Sequence, residues 1–256
     1  MIFESKLTTF LPQIKSLQAK HPLEKSTLLN DLFLLKHEQQ LRMYYAPHNE
    51  FIHTEAKVII VGITPGWQQT KVAYARVLQG LSQNETKYEL LQHAKIAAGF
   101  SGQMRRNLCN MLDQIGLADI FDLPSTTSMF ESKRPILHTT SVIRYPVFWN
   151  GKNYTGHSPN IGQSKLLKES AYDVFPRELS HIHHPALIIP LGKAVEAVIR
   201  QLRTTERHLQ KHTILFGFPH PSGANGHRLK QLQQHQRVLQ QMVHEFAQKN
   251  NLPFQS

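Results

Sequence analysis

Apolar positions along the chain fall into two periods. Short runs at 57–61, 185–191 and 213–218 are bounded by Gly, Pro or polar turn residues, and 138–145 has the same character, which predicts four buried strands. Leu187, Ile188 and Ile189 have no polar residue between them, as expected of a parallel strand covered on both faces. Elsewhere apolar residues recur every three or four positions, predicting helices over 67–81, over 108–115 with a stop at Gly116, over 192–203 and over 229–248. Residues 1–45 also read as helical: Leu28, Leu29, Leu32, Phe33 and Leu35 follow a helical spacing, Ser26 offers an N-cap and Pro47 ends the pattern. Residues 146–154 read as an aromatic and polar loop. Strands alternating with helices predict an α/β fold of three layers, α/β/α, around a central, mainly parallel four-stranded sheet whose strand-end loops share one face.

At 256 residues and 40% hydrophobic content, the chain is long enough for one large core. The expected organisation is a single domain over 1–256, with a helical extension at 1–50 packed on it, two smaller domains being the alternative that this length also allows. There is no internal repeat, and the Gln-rich stretch 231–241 is compatible with a helix. A lone cysteine, Cys109, allows no intrachain disulfide and no cluster held by several thiolates, and its neighbours Leu108, Met111 and Leu112 mark it as a core residue. No apolar run approaches the ~18 residues of a membrane span. The expectation is a cytoplasmic (nuclear, if eukaryotic) monomer with no membrane contact, no metal and no cofactor.

Charge sharpens the choice of partner. With 29 Lys and Arg against 18 Asp and Glu, the formal net charge is +11, a field that attracts a polyanion such as DNA.

Candidate chemistry sits at strand ends. Gly62, Ile63, Thr64, Pro65 and Gly66 close the first strand in a tight turn ahead of a helix, where backbone N–H groups gather and can meet a ligand. His220, Pro221, Ser222, Gly223, Ala224 and Asn225 form a second turn after the fourth strand, and the two turns are expected to face each other across one pocket. Phe100, between Gly99 and Gly102, can present its ring to a planar ligand or anchor its loop in the core. Arg105 and Arg106 suit phosphate contact or plain solvation, and Lys193 and Arg144 read as surface or phosphate-facing charges. Structural roles stand beside these: His220 and Thr64 as turn residues, Asn225 as a helix cap, Tyr44 and Tyr45 as core. Taken together, the two turns, the aromatic ring and the basic surface suit a planar heterocycle attached to a phosphate backbone.

In this order and at these strand ends, the segments resemble the uracil-DNA glycosylase superfamily over about 55–245. Gly62 to Gly66 looks like its first motif, and His220 to Asn225 is similar to its second, in the form of the single-strand-selective enzymes. Residues 98–102 resemble the uracil-stacking segment of the thermophile-type enzymes, and 188–195 resemble the superfamily's third strand and following turn. The resemblance implies hydrolysis of the N-glycosidic bond of uracil or another deaminated base in single- or double-stranded DNA. It assigns catalysis to His220 and Thr64 and base binding to Gly62, Ile63, Pro65, Gly66, Phe100 and Ser141. DNA contact, or a wedge that replaces the extruded base, falls to Ser222, Gly223, Asn225, His227, Arg228 and Leu229. The chain departs from the pattern at two positions. Thr64 stands where many members carry Asp or Asn to orient water. Ser141 stands where many carry an Asn that reads the base edge, a task for which Asn153 and Asn225 are the nearby carboxamides. The iron–sulfur cluster of the thermophile-type enzymes has no ligand set here. Two alternatives remain: a catalytically weak or inactive nucleic-acid-binding relative, and an enzyme acting on a free nucleotide.

Overall fold

A computed structural model describes residues 1–17, 22–131 and 136–253. In chain order it contains α1 (Leu7–Lys15), α2 (Lys25–Leu28), β1 (Leu34–Glu38), β2 (Leu41–Tyr44), β3 (Val58–Gly62), α3 (Trp67–Ser82), α4 (Lys87–Ala98) and α5 (Gln103–Asp113). There follow β4 (Leu137–Ser141), β5 (Val147–Trp149), β6 (Lys152–Asn153), α6 (Lys165–Glu169), α7 (Phe175–Ser180), β7 (Leu187–Pro190), α8 (Lys193–Thr205), β8 (Thr213–Ile214) and α9 (Arg228–Lys249). The chain folds into two compact units, each assembled from three segments: Met1–Ile52, Ile63–Ser101 and Thr140–Glu178 in one, His53–Gly62, Gly102–Thr139 and Leu179–Ser256 in the other.

The four strands expected of the central sheet are present, in the order β4-β3-β7-β8, with β3 parallel to β7 and β7 parallel to β8. Every residue of β3, β4 and β7 is buried; β3 and β7 are apolar throughout, as expected of strands covered on both faces, whereas β4 carries His138, Thr139, Thr140 and Ser141 into the interior. The fold is α/β, as the pattern predicted. The fourth strand is shorter than 213–218: only Thr213 and Ile214 pair, and Gly217 turns the chain with φ +86°.

The first 45 residues depart from expectation. Two short helices are followed by a β-hairpin, β1-β2, which opens a second, antiparallel sheet in the order β1-β2-β5-β6. The apolar run was short enough to suit either period. Leu32, counted toward a helical face, is 60% exposed, whereas Leu41 and Met43 alternate with exposed Arg42 as a half-buried strand requires. Residues 146–154 are likewise no plain loop: β5 and β6 form a hairpin turned by Asn150 and Gly151, both at positive φ. That is the Asn-Gly turn whose twist matches paired strands.

Beside this sheet the first unit packs a polar core. Phe10 stacks on Tyr45 with ring centroids 4.3 Å apart, and Tyr44 and Tyr45 are buried as expected. The fully buried Glu50 accepts from Tyr145 Oη at 2.7 Å, Ser5 Oγ at 2.7 Å and the Lys6 amide at 2.8 Å, so the desolvated carboxylate is met by donors. Arg144, expected at the surface, is buried: its guanidinium lies over the Phe3 ring and donates to the carbonyls of Phe3 and Asn49. The stacking, the two carbonyl acceptors and the Glu4 carboxylate 3.8 Å from Nη1 explain how a charge is tolerated there.

Candidate functional site

β3 runs buried to Gly62, and the turn after it is held by the loop that follows β4. The Ile143 amide donates to the Ile63 carbonyl at 2.9 Å. Thr64 Oγ1 donates to the Tyr145 carbonyl at 2.8 Å and accepts from the Val147 amide at 3.0 Å. One hydroxyl therefore spends its proton and one lone pair on fastening 145–147 to the turn. Ser141, buried, ends β4 just ahead of this fastening. Pro65 is buried, and Gly66 enters α3 in an extended conformation, with its carbonyl accepting from the amide and the hydroxyl of Thr70. The first free amide of α3, on Trp67, donates to Asn153 Oδ1 at 3.0 Å. A Cβ on Gly66 would lie 3.2 Å from Asn153 Nδ2, so glycine is what lets that carboxamide lie against the turn.

Phe100, in the same unit, is 4% exposed and sits at φ +51°, a left-handed conformation unusual for a bulky residue. Such a conformation costs roughly 1 kcal/mol or more and persists only where the surroundings dictate the side chain's direction.

The second turn belongs to the other unit. The Ser222 amide donates to His220 Nδ1 at 3.2 Å. An imidazole nitrogen that accepts carries no proton, so the neutral ring holds its proton on Nε2 and offers it as a donor. Burial lowers the His220 pKa from its ordinary value near 6.5, which keeps the ring neutral at physiological pH. Three groups brace this geometry. Asn225 Nδ2 donates to the His220 carbonyl at 3.1 Å and to Gln231 Oε1 at 2.9 Å. Asn107, buried on α5, donates to the Pro221 carbonyl at 2.9 Å while accepting from Gln103 Nε2 at 2.9 Å. Gly192, at φ +86°, lies where a Cβ would come within 3.2 Å of His220 Cβ. Asn107 and Gly192 carried no role in the sequence reading. A polar residue on the inward face of α5 was the one sign of the first, and the Gly-Lys step opening α8 the one sign of the second.

Beyond His220 the loop opens to solvent. Gly223, Gly226 and His227 are exposed, and a Cβ at either glycine would touch nothing within 4 Å. Neither glycine has the positive φ that would demand it. Arg228 opens α9 and returns its Nη1 to the Asn225 carbonyl at 3.2 Å, and Leu229 is 49% exposed beside it. Asn225 does not cap α9, whose N-cap is His227. Arg105 is drawn in over the Phe130 ring at 4.7 Å, whereas Arg106 is exposed and donates to Gln103 Oε1. Lys193 is exposed at the start of α8, and Cys109 is buried as a core residue. Among the described residues no group of three or more His, Cys, Asp or Glu side chains is gathered for a metal, and no helix is long and apolar enough to cross a membrane.

Residues 50–244 match the sequence model of the uracil DNA glycosylase superfamily. The chain is also 50% identical over 225 residues to the uncharacterized protein YoxB of Bacillus subtilis (strain 168), a match covering 88% of each chain. No solved structure matches significantly.

Proposed function

Since the chain belongs to the uracil DNA glycosylase superfamily, we propose that it hydrolyses the N-glycosidic bond of uracil or another deaminated base in DNA. The observation that carries this proposal is His220, a half-buried imidazole whose Nδ1 accepts a backbone N–H and whose proton therefore resides on Nε2. Breaking the bond sends its electron pair into the base, building negative charge on a carbonyl oxygen of the base and positive charge on C1′. A neutral donor already oriented by the protein stabilises that oxygen without reorganising during the reaction. Water adds to C1′ and loses a proton, leaving a free base and an abasic sugar.

Under this proposal the backbone around Gly62, Ile63, Pro65 and Gly66 holds the base and Phe100 stacks on it. The unusual backbone conformation of Phe100 supports a dictated side-chain direction. Thr64 acts as a positioning residue more than as a base: a hydroxyl is a feeble proton acceptor at neutral pH, and this one is committed to the backbone of 145 and 147. Its role shifts from the sequence expectation of direct catalysis. Ser222, Gly223, His227, Arg228 and Leu229 form the DNA-facing loop. Two glycines there are required by neither conformation nor neighbours within the free protein, which suits close approach of a phosphate backbone, and the exposed Leu229 suits the gap left by an extruded base. Asn225 serves the loop from within, its two amide protons being spent on His220 and Gln231.

The departure at Thr64 favours a second reading, a relative that binds damaged DNA with little or no turnover. One experiment separates the two. Purified protein is incubated with single- and double-stranded oligonucleotides carrying uracil, hypoxanthine or xanthine, and alkali then cleaves any abasic site. Strand scission at one of these bases is expected, and binding without scission at any of them favours the second reading.

A further inference from the structure

Residues 207–244 contain no Asp or Glu, yet they hold Arg207, Lys211, Arg228, Lys230 and Arg237, together with the second turn and most of α9. The Gln-rich stretch 231–241 lies inside this acid-free segment. The fold shows which of its side chains reach solvent. Leu232, Leu239, Val243, Phe246 and Ala247 bury one side of α9, and the opposite side carries Lys230, Gln233, Gln234, Arg237 and Gln241, all exposed. Arg237 has Gln at every position one turn away: Gln233 and Gln234 before it, Gln240 and Gln241 after it. Such positions on an exposed helix suit an acid, because the resulting ion pair supports the helix. α8 follows that rule, pairing Arg200 with Glu196 at 2.7 Å. On α9, among the described residues, neither Lys230 nor Arg237 has an ion-pair partner. Glutamine keeps hydrogen-bonding groups at these places without a negative charge, so the positive field of the face is not cancelled.

We propose that this face of α9 is a docking surface for DNA flanking the target base, seating the phosphate backbone of one strand. α9 starts at Arg228, inside the loop given to DNA above, so the face continues that surface. Lys230 and Arg237 are two helical turns apart, about 10 Å along the axis, close to three base-pair steps of a duplex. A linear polyanion meets both cations, whereas a compact anion meets only one. The glutamines between and beyond them donate to phosphate oxygens, contacts that position DNA without reading its sequence. A membrane surface does not fit, because the apolar side that an interfacial helix would insert is already buried in the protein. The inference takes DNA from the glycosylase reading as its partner, but it does not require that excision occur.

The test is fluorescence anisotropy on the full chain with a duplex oligonucleotide carrying one uracil, in a His220→Ala background that leaves the DNA intact. Lys230→Gln with Arg237→Gln should weaken binding by about tenfold at roughly 0.1 M salt and reduce the logarithmic salt slope by about two, one for each lost phosphate contact. Arg203→Gln, on an exposed position of α8, removes a charge of the same sign elsewhere and should leave the slope unchanged. Gln233→Glu supplies the missing acid one turn before Arg237. Its melting temperature should hold or rise while DNA affinity falls severalfold, opposite signs that a structural role for this face does not produce. A wild-type chain that binds the duplex and excises nothing counts against the glycosylase reading alone, and the binding measurements still decide this one. A wild-type slope in the double variant overturns the proposal, as does an equal loss per charge in Arg203→Gln, or unchanged affinity in Gln233→Glu. Absence of any DNA binding overturns it together with the glycosylase reading.

Discussion

His220, half-buried, and Lys95, fully buried, are bases whose charged forms are disfavoured by desolvation, with different consequences. For His220 the neutral ring is the useful one. Its pKa lies below the ordinary value near 6.5 because of burial, so the single-turnover rate should be level across neutral pH and fall only under more acidic conditions, as Nδ1 takes a proton. His220→Ala should slow excision by about 10²-fold or more, in line with removing a preorganised donor. DNA affinity should be little changed, and equal excision rates in variant and wild type would remove His220 from the chemistry. Lys95, on α4, is 1% exposed, and among the described residues its Nζ has no hydrogen-bond partner. Burial depresses its pKa to about 7, opposed by Glu178 and assisted by Arg144. An unfolded lysine keeps its proton to about pH 10.5, so between about pH 7 and that value the unfolded chain binds more protons than the folded one. Stability should therefore rise with pH through this window. Melting curves from pH 7 to 9 check it: Lys95→Met should flatten the rise, and an unchanged slope would mean that Lys95 is not its source.

At the scale of elements, each motif turn is held by a partner distant in sequence. Thr64 ties the end of β3 to the loop after β4, and Thr64→Val keeps the shape while leaving the Val147 amide without its acceptor and Tyr145 without its donor. A loss of about 1–3 kcal/mol is expected by denaturant titration, largely restored in Thr64→Ser. If Thr64→Val excises at the wild-type rate on a less stable fold, the hydroxyl has no part in catalysis beyond holding the turn. Gly192 opens α8 against His220. Gly192→Ala adds a Cβ at φ +86° and 3.2 Å from His220 Cβ, so it should cost about 1–2 kcal/mol and displace the imidazole. Loss of excision well beyond the loss of folded protein is the expected signature. The bracing of Pro221 by Asn107 follows the same logic, a buried carboxamide whose two ends are both engaged.

At the scale of the molecule, the net charge of +11 governs encounter more than chemistry. Affinity for DNA should fall steeply with salt. For about four neutralised phosphates the loss is on the order of 10²-fold between roughly 50 and 200 mM salt, because released counterions lose their entropic advantage. Anisotropy titrations over that range measure the slope, and an affinity indifferent to salt would set DNA aside as the partner. Excision at saturating enzyme should vary far less with salt, since His220 acts on a base already bound.

Unbroken apolar runs and helical periods were enough to determine the α/β class and the parallel strands β3 and β7, because burial on both faces favours apolar side chains and leaves its mark locally, although β4 is as fully buried with His138, Thr139, Thr140 and Ser141 in it. The two turns were legible as turns because Pro65-Gly66 and Pro221-Ser222-Gly223 interrupt the apolar runs ahead of them. The hairpin β5-β6 reads as a loop, although Asn150-Gly151 is a hairpin-turn pair, because its strands are too short to show an alternation. Other features had no local signal. Residues 34–44 form a hairpin because β2 finds β5 more than 100 residues later, and a short apolar run cannot announce its partner. Arg144 reads as a surface charge until Phe3 and Asn49 close over it. Thr64 reads as a water-handling hydroxyl until 145 and 147 are seen to claim it. Which end of the Asn153 carboxamide is engaged, and which nitrogen of His220 carries the proton, are decided by backbone amides placed only when the chain is folded. The kinds of side chain present follow from the sequence; whether each is left free to react depends on the hydrogen bonds that tertiary structure has already taken from it.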